Sequence, residues 1–525
     1  MKLVKSLLLG SAAGILAVGG AQAADLPVKA KAVEYVKICS LYGAGFYYIP
    51  GTDTCLKLGG YLRAEVSVSG SDFNGNFSGV QGAQNRLTNY WYSRAREDFN
   101  IDTRTATEYG VVRTFADVVW SWTTDNYSGS GTTPGATIYS QLGGTGVSAP
   151  NNANAGAIAG GTLGVYYAFI QFAGFTMGKA IAQFDAPWTN YPGNNFDGLT
   201  GGGGTVTGVN QFTYTADFGQ GITAAISAVD PTAYYQSNLY NTSVGFNVAA
   251  FGSGGYGANA FGGTRSPDIQ GMVRIDQAWG LFQFSAAAHD NHVAYYQGVG
   301  ANNLGTEVAG HPGDKWGWAV QAALSIKNIP TGPGDVINVQ AVYTDGATRY
   351  NFQSLASQNY AMFGGTGLAG VYQSLGIAGA ADAVFANGTG LSTVQTWGMR
   401  GAYTHNWDAY WNTAIYGSYS QLRYGNGGAA LICGAIAGVV PATLTAGITT
   451  CNPDFNIGTI GLITRWTPVK NLTFSVDVAY TMLDQKFAGT FTTVTPAALV
   501  AKPATTYELK DQSTVSALFR AQRNW

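Results

Sequence analysis

Residues 471–483, NLTFSVDVAYTML, alternate between apolar and polar side chains with almost no interruption. Every second residue from Leu472 to Met482 is apolar, and the residues between them include Thr473, Ser475 and Asp477. A period of two is typical of a β-strand whose two faces meet different surroundings. The apolar face packs either on a protein core, as in a secreted β-sandwich, or on lipid, as in the wall of a membrane barrel.

The composition favours a folded chain with a partly apolar outer surface. Only 11% of the 525 residues are charged, whereas 13% are aromatic and 73 are glycine. Disorder requires the opposite balance of charge and apolar residues. The formal net charge of −2 is nearly neutral for this length, so we expect no nucleic-acid partner.

The N-terminus indicates export. Lys2 and Lys5 precede an apolar run from Leu7 to Val18, and Ala21-Gln22-Ala23 follows as a small-x-small cleavage site. A membrane anchor is the alternative interpretation, but the run is short for spanning a bilayer. After Val18 no apolar run approaches the roughly 20 residues of a transmembrane helix, so a membrane location requires a closed barrel.

These features predict three parts of the chain. We expect a signal peptide at residues 1–23, a periplasmic segment at 24–56 and a barrel at 57–525. The sequence leaves open whether the periplasmic segment plugs, braces or caps the barrel mouth, or joins neighbouring subunits.

The four cysteines form two pairs that are local in the sequence. In an exported protein this predicts the disulfides Cys39–Cys55 and Cys433–Cys451. Each bond closes a short loop and contributes about 3 kcal/mol in the chain-entropy model. The sequence has no CxxC motif or Cys/His cluster, so we expect neither a metal nor a cofactor.

The alternation of residues 471–483 recurs along the whole chain, and short turns alternate with long Gly/Ser/Asn/Thr-rich loops. This rhythm predicts an all-β fold, a sixteen-stranded antiparallel transmembrane β-barrel with short periplasmic turns and long extracellular loops. The predicted strands are 57–69, 93–105, 109–122, 162–172, 174–183, 209–218, 221–229, 267–278, 281–290, 316–327, 335–345, 394–406, 409–422, 457–467, 471–483 and 513–525.

Three segments resemble the alphaproteobacterial porin family. They are VEYVKICSLYGAGFYYIPGTDTCLKLGGYLRAEV (33–66), YYAFIQFAGFTMGKAIAQFDAPW (166–188) and CNPDFNIGTIGLITRWTPVKNLTFSVDVAYTMLDQKF (451–487), and the end of the chain, FRAQRNW (519–525), is also similar. The resemblance implies a water-filled homotrimeric porin that passes small hydrophilic solutes and ions. It also implies a location in the outer membrane of a Gram-negative bacterium, in contact with lipid and lipopolysaccharide.

The resemblance to porins also implies that the third long loop folds inward and narrows the channel. The strand count places that loop at 184–208, where Asp185 and Asp197 offer negative charge and Trp188 and Tyr191 offer packing against the wall. The alternative is an ordinary solvated hairpin loop.

Positive charge is predicted on the opposite, lumen-facing side of the early strands. An arginine row facing loop carboxylates would create a transverse field and set ion preference. Alternatively, these arginines pair with Glu65, Asp98, Asp102 and Asp117 and only satisfy a polar lumen. The arginines are Arg63, Arg94, Arg96, Arg104 and Arg113.

Other candidate sites are weaker. His289 and His292 have the spacing of a metal pair, but no third ligand is evident, and we interpret them as loop histidines. No two carboxylates stand out as a glycosidase pair, and no nucleophile motif is present, so we predict no catalytic residue and no enzyme.

A general-diffusion porin is therefore the predicted function. The first alternative is a substrate-specific channel, for example for a saccharide, which saturable transport would distinguish. The second is a secreted β-rich binding or adhesion protein, which would be soluble without detergent.

Overall fold

The computed structural model describes residues 37–68, 90–123, 162–188, 193–204, 206–246, 248–252, 254–297, 305–439, 447–493 and 502–525. The predicted signal peptide lies outside these residues, and so does Tyr191 of the predicted constriction loop. The chain divides into two compact units, Met1–Leu56 and Lys57–Trp525.

The first unit is organised around a disulfide. Cys39 is bonded to Cys55 with 6.0 Å between their Cα atoms, and both cysteines are buried with Phe46. A 3₁₀ helix spans Ser40–Tyr42, and the short strand Tyr47–Tyr48 pairs with Cys55 and Leu56. The predicted Cys39–Cys55 bond is confirmed.

A closed antiparallel barrel forms the frame of the second unit, with strands numbered here from the N-terminus. Every strand pairs with its neighbours in the chain, and the first pairs with the last from Tyr61 opposite Asn524 to Val68 opposite Ala517, which closes the barrel. The strands are β1 Thr54–Val68, β2 Trp91–Thr107, β3 Gly110–Thr123, β4 Thr162–Phe172, β5 Phe175–Ala180, β6 Val209–Asp217, β7 Ile222–Val229, β8 Asp268–Gln277, β9 Gly280–Asn291, β10 Lys315–Lys327, β11 Val336–Asp345, β12 Gln395–Asn406, β13 Trp411–Arg423, β14 Phe455–Val469, β15 Leu472–Gln485 and β16 Gln512–Asn524. The predicted sixteen-stranded barrel is confirmed, and each strand end lies within three residues of its predicted position.

Strand β15 shows which face of the alternating pattern points outward. Phe474 and Met482 are 39% and 47% exposed, whereas Ser475 and Asp477 are buried. The apolar face is therefore on the outside of the barrel and the polar face on the inside. This arrangement excludes a secreted sandwich, in which a protein core would cover the apolar face.

The long loops lie at one end of the barrel, and five of them are used below. They are L3 (181–208), L4 (230–267), L6 (346–394), L7 (424–454) and L8 (486–511). Four of these loops contain regular structure that the sequence did not predict. Their strands are Asn238–Asn241, Ala258–Asn259, Asn359–Gly364, Gln373–Gly379, Ala381–Phe385, Ser392–Thr393, Ile448–Thr450, Ala488–Thr492 and Thr506–Leu509, their helices are Val248–Phe251 and Gly425–Val439, and L6 begins with the 3₁₀ helix Thr348–Tyr350. A further 3₁₀ helix, Glu307–Ala309, lies between β9 and β10.

Together L4, L6, L7 and L8 form a folded cap. Parallel pairs join Gln373–Gly379 of L6 to Thr506–Leu509 of L8, and Ala381–Phe385 of L6 to Asn238–Asn241 of L4. A hydrophobic core fills the cap, with buried residues that include Phe251, Tyr256, Phe352, Tyr360 and Phe491. These pairings are long-range, so the polar and glycine-rich composition of each loop gave no local signal for them.

The second disulfide lies in this cap. Cys433, in the helix Gly425–Val439, is bonded to Cys451 with 5.9 Å between the Cα atoms. The predicted pairing is confirmed. In the described part of the chain, no helix has the length and apolar character needed to cross a bilayer.

Candidate functional site

Loop L3 lies inside the barrel, where wall glutamines bind its backbone. Gln283 Nε2 donates to the Asp185 carbonyl (2.9 Å), and Gln321 Nε2 donates to the Phe184 carbonyl (2.9 Å). Gln340 Oε1 accepts a hydrogen bond from Trp188 Nε1 at 2.7 Å. An amide side chain can both donate and accept, so inward-facing glutamines are suited to holding an irregular backbone segment.

Arg400 of β12 holds the glycine-rich part of L3. Its guanidinium donates from Nη1 to the Leu199 carbonyl (3.1 Å) and from Nη2 to the Gly203 carbonyl (2.7 Å), and the side chain is fully buried. Gly201 has a positive φ of 99°, and a Cβ there would lie 2.5 Å from the carbonyl of Met399. Only glycine permits this approach of the loop to the wall.

The tip of L3 is anchored on strands β14–β16. The backbone N–H of Asn195 donates to Asp477 Oδ2 at 2.7 Å. Arg520 donates from Nη1 to Asn195 Oδ1 and from Nη2 to the Asn195 carbonyl, both at 3.0 Å. Arg465 Nη2 donates to the Gly193 carbonyl at 3.0 Å. The wall therefore holds L3 at its tip as well as at Phe184–Asp185 and Leu199–Gly203.

A group of arginines surrounds Glu65 on the wall beside the loop tip. Arg94 Nε lies 2.5 Å from Glu65 Oε2, and Arg520 Nη2 lies 2.6 Å from Glu65 Oε1. Arg63 is farther away, at 3.9 Å. One carboxylate therefore faces three guanidinium groups, and the cluster has an excess of positive charge.

A cavity of about 480 Å³ separates this arginine-rich wall from L3. Asp197 of L3 lines the cavity and is 8% exposed, and no ion pair of its carboxylate is found among the described residues. Arg96 lines the same cavity, with its Nε bonded to Ser121 Oγ at 2.9 Å. The charged residues that line the cavity are Arg63, Arg94, Arg96, Asp98, Asp117 and Asp197.

The structure places Asp185 apart from this cavity. Its side chain is buried at the start of L3, where Oδ1 accepts a hydrogen bond from the Tyr235 hydroxyl at 3.3 Å. Burial, together with the negative charge of Asp185, raises the pKa of Tyr235 well above its ordinary value, so the phenol stays protonated and remains a donor. Asp185 and Asp197 therefore have different surroundings, although both belong to the predicted loop.

Arg104 and Arg113 also lie away from the cavity. Both bind Asp102, with Nη2–Oδ2 distances of 2.9 and 3.0 Å, near the short turn that joins β2 to β3. Arg104 and Arg113 therefore match the alternative interpretation of the sequence, in which the arginines pair with carboxylates of the wall. Of the five predicted arginines, the structure brings Arg63, Arg94 and Arg96 together at the cavity.

The two histidines singled out in the sequence have carboxylate partners. His289 lies in strand β9 and is fully buried, with Nδ1 2.8 Å from Asp268 Oδ1 and Nε2 3.6 Å from Asp382 Oδ2. The expectation of a loop histidine is therefore wrong for His289. His292 Nδ1 lies 2.8 Å from Asp314 Oδ1. Within the described ranges, no group of three or more His, Cys, Asp or Glu side chains could hold a metal ion.

Sequence reasoning missed two further contributors to the site. Arg520 lies in the C-terminal strand and binds both Glu65 and Asn195, and its inward position follows from the alternation of β16. Leu355 of L6 also lines the cavity. No sequence signal distinguished Leu355, because its position depends on how the cap folds.

Opposite charges across a water-accessible gap can orient polar solutes and favour the passage of either cations or anions.

Comparisons with known proteins give a consistent picture. The family model described as "Porin subfamily" matches residues 25–518. Porin Omp2b of Brucella suis biovar 1 is 33% identical over 232 residues, covering 43% of this chain and 53% of the relative. Porin Omp2a of Brucella melitensis biotype 1 is 34% identical over 232 residues, covering 43% of this chain and 55% of the relative. The chain thus spans about half the length of these curated relatives.

Among solved structures, the outer membrane channel DcaP of Acinetobacter baumannii has the same fold. The TM-score is 0.52 at 13% sequence identity, and the match covers 91% of this chain and 99% of that one.

Proposed function

Because this chain belongs to the Porin subfamily, we propose that it forms a passive water-filled channel for small hydrophilic solutes and ions. The family and the barrel, with its apolar outer face, place the chain in the outer membrane of a Gram-negative bacterium. Outer-membrane lipid and lipopolysaccharide are the expected surroundings of that face.

The observation that supports this proposal best is the separation of charge across the cavity. Asp197 belongs to a loop held inside the barrel, and Arg96 belongs to the facing wall. Neither side chain is joined to the other by an ion pair in the described part of the chain. Charges on the two sides of the gap act on the solutes between them. We propose that Asp197 and Arg96, together with Arg63 and the Glu65-bound Arg94, form the constriction.

The outer face of β16, β1 and β2 supports assembly into a homotrimer. Ala521, Ala64 and Ala95 contribute to an outward groove of about 710 Å³. Glu97 is exposed on the same outward face as Ala95, and among the described residues it has no ion-pair partner. A carboxylate is unfavourable against lipid, so we propose that a second copy of the chain covers this face.

Transport measurements test the channel proposal. Detergent-purified protein is reconstituted into liposomes, and swelling rates are measured for a series of uncharged sugars of rising size. We expect rates that fall steadily with solute size and rise linearly with concentration. Saturation with one solute would instead support a substrate-specific channel. No swelling, from protein that stays soluble without detergent, would refute the porin function.

A further inference from the structure

A second loop reaches the cavity beside L3. In L6, the N–H of Ala356 donates to the Gln353 carbonyl at 2.9 Å and closes a tight turn. Leu355 lies within that turn and lines the cavity together with Arg96 and Asp197. The cavity therefore has a charged wall from β1–β3 and an apolar side chain from the cap loop.

Arg349 fixes the conformation of this turn. Its Nη1 donates to the carbonyls of Phe352, Gln353 and Ala356 at 3.2, 3.0 and 3.1 Å. Burial lowers the pKa of Arg349 to about 10, so the guanidinium is still charged near neutral pH. Three carbonyls held by one cation leave the turn little freedom, and the position of Leu355 is set accordingly.

The same stretch of L6 binds the backbone of L3. Gln353 Nε2 donates to the Asp197 carbonyl at 2.7 Å. The N–H of Gly201 donates to the Asn351 side-chain Oδ1 at 3.0 Å, and Gly202 and Phe352 form a parallel β-bridge. L3 is therefore held by the cap as well as by the wall. Gln353 binds the backbone of Asp197, the residue whose carboxylate lines the cavity.

The barrel wall in turn holds this part of L6. Asn351 Nδ2 donates to Thr396 Oγ1 at 2.9 Å, and Ser420 Oγ donates to Asn351 Oδ1 at 2.9 Å. The Tyr350 hydroxyl donates to Asp268 Oδ2 at 2.6 Å. These side chains are buried, so the segment is part of the packed interior rather than a solvated loop tip.

We propose that the L6 turn Gln353–Ala356 is a second constriction element of this channel. Leu355 is a specificity-determining residue that gives the pore an apolar edge facing the arginines, and Gln353 is a positioning residue that holds Asp197 in the pore. The inference rests on the proposed channel function. It predicts that charge placed at position 355 changes ion selectivity, although natively no charge lies there.

Cysteine chemistry tests the role of Leu355 in a folded channel. All four native cysteines are in disulfides, so L355C introduces a single reactive thiol. The variant is reconstituted in planar bilayers and treated with methanethiosulfonate reagents that add either an ammonium or a sulfonate group. We expect both reagents to lower single-channel conductance. The ammonium should raise the anion-to-cation permeability ratio about twofold, and the sulfonate should lower it about twofold.

L368C is the matched control. Leu368 lies in the same loop, is 47% exposed and does not line the cavity. Complete modification at both positions is verified by mass spectrometry. Shifts at position 355 alone would support the inference. Equal shifts of the permeability ratio at both positions would overturn the inference. An unchanged ratio at position 355, with a changed ratio in Asp197→Asn, would also overturn it. Either result would still be compatible with the proposed channel function. A native chain that never conducts would overturn both.

A second variant tests the positioning role. Gln353→Leu removes the donor to the Asp197 carbonyl but keeps a side chain of similar size. We expect larger open-channel current noise and a selectivity closer to that of Asp197→Asn, because the carboxylate is no longer held at one place. Gln421→Leu, at an outward position on β13, is the control. A quiet Gln353→Leu channel with native selectivity would show that Gln353 does not position Asp197.

Discussion

The carboxylate of Glu65 lies 2.5 Å from Nε of Arg94, and the two side chains are 0% and 4% exposed. This pair joins β1 and β2 inside the barrel. Arg520 is also paired with Glu65, and Arg63 is near it, so Glu65 lowers the positive potential of this arginine cluster.

Glu65→Gln should therefore make the channel more selective for anions. Removing one negative charge at ~10 Å from the ion path changes the energy of an ion by about 0.4 kcal/mol in water, or about twofold in the permeability ratio. Reversal potentials under a KCl gradient measure this ratio. Asp408→Asn, in a short turn at the barrel end, should have no effect. An unchanged ratio in Glu65→Gln would show that the cluster does not act on the ion path.

The two aspartates of L3 should behave differently. Asp197→Asn removes a charge that lines the cavity and should raise anion permeability about twofold. Asp185 is buried and bonded to Tyr235 outside the cavity, so Asp185→Asn should leave selectivity unchanged. The same reversal-potential measurement compares them. Equal shifts in both variants would contradict the separation that the structure shows.

Much of the barrel could be predicted from the sequence, because each strand has a local period of two. The pattern also fixes which residues face outward, since a shift of one residue would place the polar side chains on the outer face. The strand count also located L3 without any structural information. The sequence could not show that Asp197 faces the cavity while Asp185 is buried, since the loop's path depends on distant residues such as Gln283 and Arg400.

The cap was beyond prediction for a similar reason. Its strands pair across loops that are far apart in the sequence, as Ala381–Phe385 does with Asn238–Asn241. The aspartate partners of His289 illustrate the point, since Asp382 comes from L6 and meets the histidine only when the cap is folded. Long-range pairing leaves no local periodicity to read.

Arg400→Met should loosen L3 from the wall. The substitution removes the hydrogen bonds from Arg400 to the buried carbonyls of Leu199 and Gly203, and the Leu199 carbonyl keeps a long contact of 3.5 Å with Gln353 Nε2. We expect a loss of about 2 kcal/mol or more in the free energy of unfolding, and noisier open-channel current. Urea unfolding in detergent micelles measures the first effect and bilayer recording the second. Arg423→Met serves as the control, because the described hydrogen bonds of Arg423 go to residues of β13 and β14. Native stability and a quiet channel in Arg400→Met would show that this anchor is dispensable.

Glu97→Arg should weaken the proposed homotrimer. A carboxylate on the outward face of β2 is expected to meet a polar or basic group of the neighbouring copy, and reversing its charge makes that contact repulsive. Gel electrophoresis without heating should show a shift from trimer to folded monomer, with circular dichroism still typical of a barrel. Glu307→Arg, in the exposed 3₁₀ helix between β9 and β10, should remain trimeric. A stable Glu97→Arg trimer would place the interface elsewhere.

Removal of the Cys433–Cys451 bond should destabilise the cap and spare the barrel. The two cysteines are 18 residues apart in the sequence. Replacing both in a Cys433→Ala/Cys451→Ala double variant should lower the free energy of unfolding of the cap by about 3 kcal/mol. We expect faster cleavage in L7 by added protease and unchanged strand content. The matched double variant of Cys39 and Cys55 should leave L7 protected. Equal protection of L7 with and without its disulfide would show that the hydrophobic core alone holds the cap.

The most direct test of the central claim is the reversal potential of single channels in which one charge on either side of the cavity is removed. Arg96→Gln and Asp197→Asn are recorded with the native protein in planar bilayers under the same salt gradient. If the two side chains face each other across the ion path, the variants shift the reversal potential in opposite directions, Arg96→Gln toward cations and Asp197→Asn toward anions. Channels whose reversal potential is the same in all three proteins would contradict the account.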